Sequence, residues 1–324
     1  MLNPKVAIVG LRAIGGSLGL ALRQSEASLT LVGYDGDRRV ARKAQQRGVV
    51  ERIEPSLGAA MRGAALVIIT TSLAGIREAL RAARDLEPGS VLTDTATLKL
   101  PVLRWAEKEL PIGVHFVGGN PIVPQRHGGI EAARPDLFQG RTYCLTPSPR
   151  TDPSALDFVT QLVRNLGAEP YFLDPAEHDG QMAALEHLPF LMAAALYQVA
   201  SRSPAWRDML RLVSDAFRHA TELPPADPDE YGELALSNQQ NLTHWIELYI
   251  ERLREISDLL EHRDRELLTR LFAEAIAQGW QRESSEHRSA GPLQGVAGVQ
   301  NQAQPTTSLS RLLHSLRKNP DSSA

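Results

Sequence analysis

The first half of the chain alternates short apolar runs with amphipathic stretches. The apolar runs lack the period-two pattern of half-exposed strands, which predicts strands covered on both faces at residues 5–10, 29–35, 65–70, 90–94, 114–118, 142–147 and 170–174. Between the early runs, apolar positions recur at helical spacing over residues 14–23, 37–47 and 73–83. This order of strands and helices predicts an α/β fold with a doubly wound sheet of the Rossmann type.

The second half of the chain carries helix formers at helical spacing instead. Long helical patterns cover residues 175–201, 205–221 and 229–278, and a proline-rich break lies at 224–229. Pro189 should kink the first of these helices, because proline has no backbone N–H to donate. The patterns are apolar on more than one face, which favours an all-α dimerisation domain in an interleaved homodimer over a monomeric helical cap.

These patterns divide the chain into three parts. We expect a dinucleotide-binding domain at residues 1–174, a helical dimerisation and substrate domain at 175–280, and a flexible tail at 281–324. The tail has no aromatic residue and is rich in Ser, Gln, Gly and Arg, so it offers little surface to bury.

Composition narrows the classes of partner. The chain has 35 basic and 38 acidic residues, a formal charge of -3, so we expect neither nucleic acid nor an anionic membrane as a partner. The most apolar uncharged runs are shorter than the roughly 18 residues of a membrane helix. The single cysteine, Cys144, allows no internal disulfide, and no Cys/His spacing predicts a metal site. With no export signal recognised, the expected location is the cytoplasm.

A glycine motif follows the first predicted strand. Gly10-Leu11-Arg12-Ala13-Ile14-Gly15 opens the first helix, and Asp35 ends the second strand 20 residues after Gly15. Gly10 would form the tight turn, Gly15 would let the helix pack on the strand, and the helix N-terminus would face a pyrophosphate. Asp35 would accept hydrogen bonds from ribose hydroxyls, which favours NAD over NADP because a 2′-phosphate would meet its charge.

Arg12 departs from this motif, since it stands where the middle glycine normally lets the backbone approach the pyrophosphate. Two interpretations remain open. The side chain swings aside and pairs with a phosphate, or dinucleotide affinity is weakened or lost.

Further motifs follow in order along the chain. They are Asp94-Thr95-Ala96-Thr97-Leu98-Lys99, Phe116-Val117-Gly118-Gly119-Asn120-Pro121-Ile122, Leu137-Phe138-Gln139-Gly140 leading to Leu145-Thr146-Pro147, Glu177-His178-Asp179, Glu186-His187-Leu188-Pro189, Phe217-Arg218 with Thr221, Asp227-Pro228 and Leu236-Ser237-Asn238. Through them the chain resembles the prephenate and arogenate dehydrogenases over nearly all of its folded part. The resemblance implies a Rossmann domain followed by a helical dimerisation domain. It also implies oxidative decarboxylation of a cyclohexadienol acid with NAD or NADP, which yields a precursor of tyrosine.

The resemblance also implies substitutions in the site. In the family, a histidine in a motif ending His-Pro-Met bonds the ring hydroxyl and a serine supports that histidine; these positions carry Asn120 and Thr97 here. The family's substrate-binding arginine falls on Glu222, and an acidic residue falls on Arg126. Asn120 can orient a hydroxyl, but an amide cannot take its proton at neutral pH.

The remaining candidates are cations and histidines. His187, just before Leu-Pro at the expected kink, is the best histidine, and His178, His115 and His127 are alternatives. The predicted catalytic residues are Asn120, Thr97 and His187; those predicted to bind substrate are Lys99, Arg218, Glu222 and Arg126; and those predicted to bind the cofactor are Gly10, Arg12, Ile14, Gly15, Asp35, Thr70 and Asp94.

Two functions therefore stand side by side. The first is an NAD-linked dehydrogenase of the prephenate or arogenate type, acting on a small cyclic carboxylic acid. The second is a family member with an altered or inactive site that acts on another substrate or as a binding or regulatory dimer. The glycine turn and Asp35 favour the first, and Arg12, Asn120 and Glu222 favour the second.

Overall fold

The structure is a computed structural model that describes residues 3–25, 29–124, 129–223 and 227–277. Within these residues, eight strands form one sheet in the order β3-β2-β1-β4-β5-β6-β7-β8. The strands are β1 Lys5–Val9, β2 Thr30–Tyr34, β3 Arg52–Ile53, β4 Leu66–Ile69, β5 Val91–Asp94, β6 His115–Pro121, β7 Thr142–Thr146 and β8 Glu169–Phe172. All neighbouring strands run parallel except β6 and β7, which are antiparallel.

Helices cover both faces of this sheet. They are α1 Ala13–Ser25, α2 Arg38–Gln46, α3 Leu57–Met61, α4 Leu73–Ala82, α5 Leu100–Glu109 and α6 Pro153–Asn165. Alternate residues of β1 enter different cores: Val6 and Ile8 pack in one hydrophobic cluster, and Ala7 and Val9 in the other. The doubly wound Rossmann-type sheet predicted from the apolar runs is confirmed.

Strand β3 and helices α3 and α6 are among the elements of the sheet domain that the sequence patterns did not predict. Strand β3 has two residues and helix α3 five, which is too short for a periodic signal. Helix α6 is long, and its start is marked by Asp152, whose carboxylate accepts the N–H groups of Ser154 and Ala155, with Pro153 at the first helical position. The capping signal was present in the sequence, although the helix was not predicted.

The helical half begins with one continuous helix. It consists of α7 Pro175–Met182, a π-helical turn Ala183–His187 and α8 Leu188–Ser201. The expected irregularity is present, but it is a widened turn just before Pro189, in which the Leu188 N–H bonds to the Ala183 carbonyl. Such π turns are common at functional sites, and this one ends at His187.

The prediction of one continuous helix is wrong for each of the next two ranges, because the structure divides each of them into shorter helices. Residues 205–221 divide into α9 Trp206–Met209, a 3-10 turn Leu210–Leu212 and α10 Asp215–Ala220, because Ser214 caps a new helix by accepting the Phe217 N–H. Residues 229–278 divide into α11 Pro228–Ser237, α12 Gln239–Glu261 and α13 Arg265–Ala277. Helix α11 ends at Asn238, and Arg263 takes a positive φ of 53° between α12 and α13.

The described chain forms two compact units, one ending at Gln239 and the other beginning at Gln240. The second unit contains α12 and α13, with ion pairs on its surface between Arg252 and Glu255 and between Arg270 and Glu274. The sequence-based boundaries at 174/175 and 280/281 stay predictions, and the proposed tail lies outside the described residues.

One helix in the described part of the chain is long and apolar enough to cross a membrane by length and composition. It spans Pro175–Ser201, with mean hydropathy 1.2 in its most apolar window. The same helix carries His178, Asp179 and His187, which are buried and hydrogen bonded to the sheet domain. Its first half is therefore attached to protein through polar side chains.

Candidate active site

The glycine turn lies at the point where the strand order reverses, between β1 and β4. Gly10 has a φ of +91°, and a Cβ there would lie 2.6 Å from the Thr70 carbonyl oxygen. A Cβ on Gly15 would overlap the Gly10 carbonyl and lie 2.5 Å from Thr70 Oγ1. Thr70 Oγ1 donates to the Gly10 carbonyl at 2.7 Å. Both glycines are therefore required by the geometry, and Thr70 holds the turn in place across the two strand ends.

Asp35 is fixed beside this turn. Its carboxylate accepts the N–H of Leu11 at 2.8 Å on Oδ2 and the N–H of Asp37 at 2.9 Å on Oδ1. The residue is half-buried, and each oxygen has a further lone pair for a hydroxyl donor. A carboxylate thus stands at the end of β2, the place from which an acidic residue of a Rossmann fold contacts ribose.

Arg12 is exposed, at the start of α1. Its carbonyl accepts the Gly16 N–H at 2.7 Å, so the backbone already follows the helix. Within the described residues, the Arg12 guanidinium has no salt-bridge partner. Ile14 is partly buried against the hydrophobic core. The structure places the substituted position on the surface of the turn.

A buried ion pair joins the ends of β5 and β6. The Lys99 ammonium lies 2.5 Å from Asp94 Oδ2 and donates to the Gly119 carbonyl at 2.5 Å. The Asp94 carboxylate also accepts the N–H groups of Ala96 and Gly119 at 3.0 and 3.1 Å. Both side chains are 0% exposed.

This burial bears on two predicted roles. Lys99 was expected to bind substrate and Asp94 to bind the cofactor; both roles stay predictions, and in this structure neither side chain is exposed. Burial lowers the pKa of Lys99, and the charge of Asp94 opposes that shift. We assign both residues to holding the strand ends together.

Asn120 and His178 form the first polar chain of the site. Asn120, in β6 and 2% exposed, places its Nδ2 3.1 Å from His178 Nε2 and 3.6 Å from the Met182 sulfur. His178 Nδ1 lies 3.0 Å from Asp179 Oδ1. A carboxylate only accepts, so Nδ1 carries hydrogen and, in the neutral ring, Nε2 accepts from the Asn120 amide. The amide of Asn120, which the resemblance aligns with a histidine, is therefore hydrogen bonded to a histidine.

Thr97, His187 and Asn238 form the second polar chain. His187 Nε2 lies 3.3 Å from Thr97 Oγ1, and His187 Nδ1 lies 3.4 Å from Asn238 Nδ2. Burial lowers the pKa of His187 to about 4, with Asp179 opposing the shift and His178 adding to it. His187 is therefore neutral at pH 7.

Asp179 connects the two chains. Besides bonding to His178, its carboxylate accepts the N–H groups of Lys99 and Leu100 at 2.7 and 2.9 Å, at the start of α5. Its backbone carbonyl accepts from Asn238 Nδ2 at 2.9 Å. One residue of α7 thereby fixes both histidines relative to the carboxyl ends of β5 and β6.

The structure brings together some of the predicted residues and not others. Asn120, Thr97 and His187 all contact this network, whereas Arg218 on α10 and Glu222 after it are exposed. Arg126 and His127 lie outside the described residues. His115, at the start of β6, is partly buried.

Asp179 was absent from the predicted site, although it stands in the Glu177-His178-Asp179 motif. The motif itself was the available signal, because its charged and titratable residues are buried only with partners. Asn238 was also absent from the predicted site, since a helix cap explained that residue equally well.

Family models match most of the chain. The one described as prephenate dehydrogenase, nucleotide-binding domain, matches residues 18–172, and the one described as prephenate dehydrogenase, dimerization domain, matches residues 174–274.

Individual proteins agree with these matches. Prephenate dehydrogenase of Bacillus subtilis is 28% identical over 273 residues, which cover 83% of this chain and 74% of that protein. Among solved structures, Synechocystis arogenate dehydrogenase is 26% identical with a TM-score of 0.70, covering 85% of this chain and 98% of its own. Prephenate dehydrogenase from A. aeolicus, in complex with hydroxyphenyl propionate and NAD+, has a TM-score of 0.80 at 24% identity, covering 86% and 98%, and that likeness supports the fold.

Proposed function

This chain belongs to the prephenate dehydrogenase family, and from that premise we propose that it catalyses the NAD-dependent oxidative decarboxylation of a cyclohexadienol acid such as prephenate or arogenate. The product of that reaction is a precursor of tyrosine. The observation that carries the proposal is the position of the buried histidine network at the carboxyl ends of β5 and β6, beside the strands whose turn suits a dinucleotide.

The residues present fit NAD. Gly10 and Gly15 form a turn that a Cβ would fill, and Asp35 places a carboxylate where ribose hydroxyls bind and a 2′-phosphate would be repelled. The nicotinamide, when bound, supplies the acceptor for a hydride. We propose that the Arg12 guanidinium pairs with the pyrophosphate, since it is exposed beside the helix N-terminus that attracts the same charge.

The reaction breaks the carbinol C–H bond and the C–C bond to the departing carboxylate. The hydrogen would leave as hydride to the acceptor that the nicotinamide supplies, while the hydroxyl releases its proton as a carbonyl forms. The electrons of the broken C–C bond then complete the aromatic ring as carbon dioxide leaves, and the ring oxygen takes up a proton to give the phenol. Asn120 orients the hydroxyl, and Thr97 with His187 supplies a second polar contact. Arg218 is the proposed cation for a substrate carboxylate, and Glu222 is proposed to set the charge preference. Arg126, outside the described residues, keeps the substrate-binding role that the resemblance implies for it.

The substitution at Asn120 favours a second candidate function. Because an amide cannot take a proton at neutral pH, this site lacks the base that the resemblance assigns to that position, and losing such a base typically costs 10²- to 10⁴-fold in rate. A family member that binds the ligands but acts on another substrate, or as a regulatory dimer, accounts for the same residues.

We further propose a homodimer, on the strength of the match to the dimerization domain and the exposed apolar surface of α8. A cytoplasmic location rests on the single, buried Cys144 and stays a prediction.

A binding and turnover experiment separates the two functions. NADH and NADPH are titrated by fluorescence, and NAD+ reduction is then followed with prephenate and with arogenate. We expect saturable binding with NADH preferred, and slow turnover with one of the two acids. Asn120→His should raise that turnover, with thermal melting as the check that the larger ring is accommodated.

Binding of NADH without turnover in either protein would favour the second function. If neither nucleotide binds, the dehydrogenase proposal fails.

A further inference from the structure

Asn238 occupies a defined position between two histidine-bearing segments. It ends α11, is 4% exposed, and directs one side-chain nitrogen at two acceptors. Nδ2 donates to the Asp179 carbonyl at 2.9 Å and lies 3.4 Å from His187 Nδ1. Because a backbone carbonyl only accepts hydrogen bonds, the atom facing it must be the amide nitrogen, which fixes the orientation of the Asn238 side chain.

This orientation decides where the proton of His187 resides. Because the amide nitrogen of Asn238 carries hydrogens and cannot accept, the ring nitrogen that faces it, Nδ1, is the bare, accepting nitrogen of the neutral ring. The ring proton is then on Nε2, which donates to Thr97 Oγ1 at 3.3 Å. The hydroxyl hydrogen of Thr97 is left to donate to a further acceptor.

We infer that Asn238 is a positioning residue that holds His187 in its Nε2-protonated tautomer, so that Thr97 meets the ligand as a hydrogen-bond donor to a carboxylate or carbonyl oxygen. In this state the Thr97–His187 pair cannot draw a proton from the substrate hydroxyl. The pair therefore contributes binding and orientation, and it does not replace the base missing at Asn120.

The neighbouring histidine provides an internal comparison. His178 donates from Nδ1 to Asp179 and accepts on Nε2 from Asn120. The two buried rings contact Asn120 in β6 and Thr97 just after β5. They are thus held in opposite tautomers. A single spectrum of the intact protein can report both.

The tautomer of His187 does not depend on the proposed function, whereas the donor role of Thr97 toward a ligand rests on that function. The first experiment therefore needs no activity. Protein with 15N-labelled histidine is examined by long-range 1H–15N correlation at pH 7.5, and His178→Gln and His187→Gln identify the two rings.

We expect Nε2–H for His187 and Nδ1–H for His178. Asn238→Asp, whose carboxylate accepts from Nδ1–H, should switch His187 to Nδ1–H or to the doubly protonated ring, and Asn238→Ala should give a mixture. Asn3→Asp makes the same chemical change at an exposed position and should leave both patterns unchanged. A native His187 protonated on Nδ1 overturns the inference, even if the variants do not fold.

The second experiment tests the donor role of Thr97 in the proposed oxidative decarboxylation. Thr97→Val keeps the shape and removes the hydroxyl, and Thr97→Ser restores it. We expect the KM for the acid substrate to rise about tenfold in Thr97→Val and to recover in Thr97→Ser, with the KM for NAD+ within about twofold. Equal substrate KM values in all three proteins would refute the donor role, and absence of turnover in the native protein would refute the proposed function while leaving the tautomer result intact.

Discussion

At the scale of single residues, the site depends on polar groups that are buried with all their partners. Lys99 and Asp94 illustrate the energetics, because each charge has lost water and is compensated by the other and by backbone groups. Replacing one partner with a neutral residue leaves an uncompensated charge in the interior. Replacing both partners with neutral residues leaves no buried charge.

We therefore expect Lys99→Met to lower the free energy of unfolding by about 3 to 5 kcal/mol. Adding Asp94→Asn should return at least about 1 kcal/mol of that loss, since the isolated carboxylate is then gone. Urea denaturation of the native protein and the three variants gives the double-mutant cycle. Strictly additive losses would contradict a coupled pair, and Lys108→Met, on the exposed face of α5, serves as the control for the substitution itself.

His187 makes stability depend on pH. Its folded-state pKa of about 4 is below the unfolded value of about 6.5, so the unfolded chain binds the proton first as the pH falls. The contribution of His187 to the free energy of unfolding is complete above pH 6.5 and is lost as the pH falls from 6.5 to 4. The groups that act on its charge are Asp179, which opposes the shift, and His178, which adds to it.

We expect the stability difference between the native protein and His187→Gln to shrink by about 2.5 kcal/mol from pH 7.5 to pH 4.5. Denaturation at a fixed protein concentration across that range measures it, and the comparison between the two proteins removes the titration of all other groups. A stability difference that stays constant with pH would mean that burial does not lower the pKa of His187.

At the scale of elements, the packing of α1 on β1 and β4 defines the cofactor turn. Gly15→Ala places a methyl group against the Gly10 carbonyl and Thr70 Oγ1, neither of which can move without opening the turn. We expect NADH affinity to fall at least tenfold, about 1.4 kcal/mol, together with a loss of about 1 to 3 kcal/mol in stability.

Gly58→Ala, in α3, is the matched control for that substitution. A Cβ at Gly58 meets nothing within 4 Å, so the same change should leave NADH affinity unaltered and stability equal or slightly higher. Fluorescence titration and thermal melting measure both effects. Unchanged NADH binding by Gly15→Ala would separate the glycine turn from the cofactor.

The elements also show what the sequence alone could predict. Apolar runs buried on both faces predicted seven of the strands, since periodicity reports burial directly. Breaks in long helical patterns were missed at Ser214 and Asn238, because local capping and side-chain contacts end those helices while the apolar spacing continues. The motifs found Asn120, Thr97 and His187, but their hydrogen bonds depend on Asp179, which α7 brings to the start of α5 from 80 positions away.

At the scale of the whole molecule, apolar surface is left over on the helical half. In α8, which the structure describes in full, Ala193 is the one buried residue although nearly all its side chains are apolar. Tyr197 is 46% exposed and Val199 74%. Exposed apolar surface of this extent is typical of an association site, and the match to a dimerization domain supports the proposal that a second copy of the chain is the partner.

We expect Val199→Glu to weaken self-association by at least tenfold, because a carboxylate would lose water in an apolar interface without gaining a partner. Ile112→Glu is the control, since Ile112 is 99% exposed but lies on the sheet domain after α5, outside the helical half. Sedimentation velocity over a range of protein concentrations gives the dissociation constants of the native protein and both variants. If Val199→Glu associates as tightly as the native protein, α8 is not the dimer surface, and if Ile112→Glu alone dissociates, the surface is on the sheet domain.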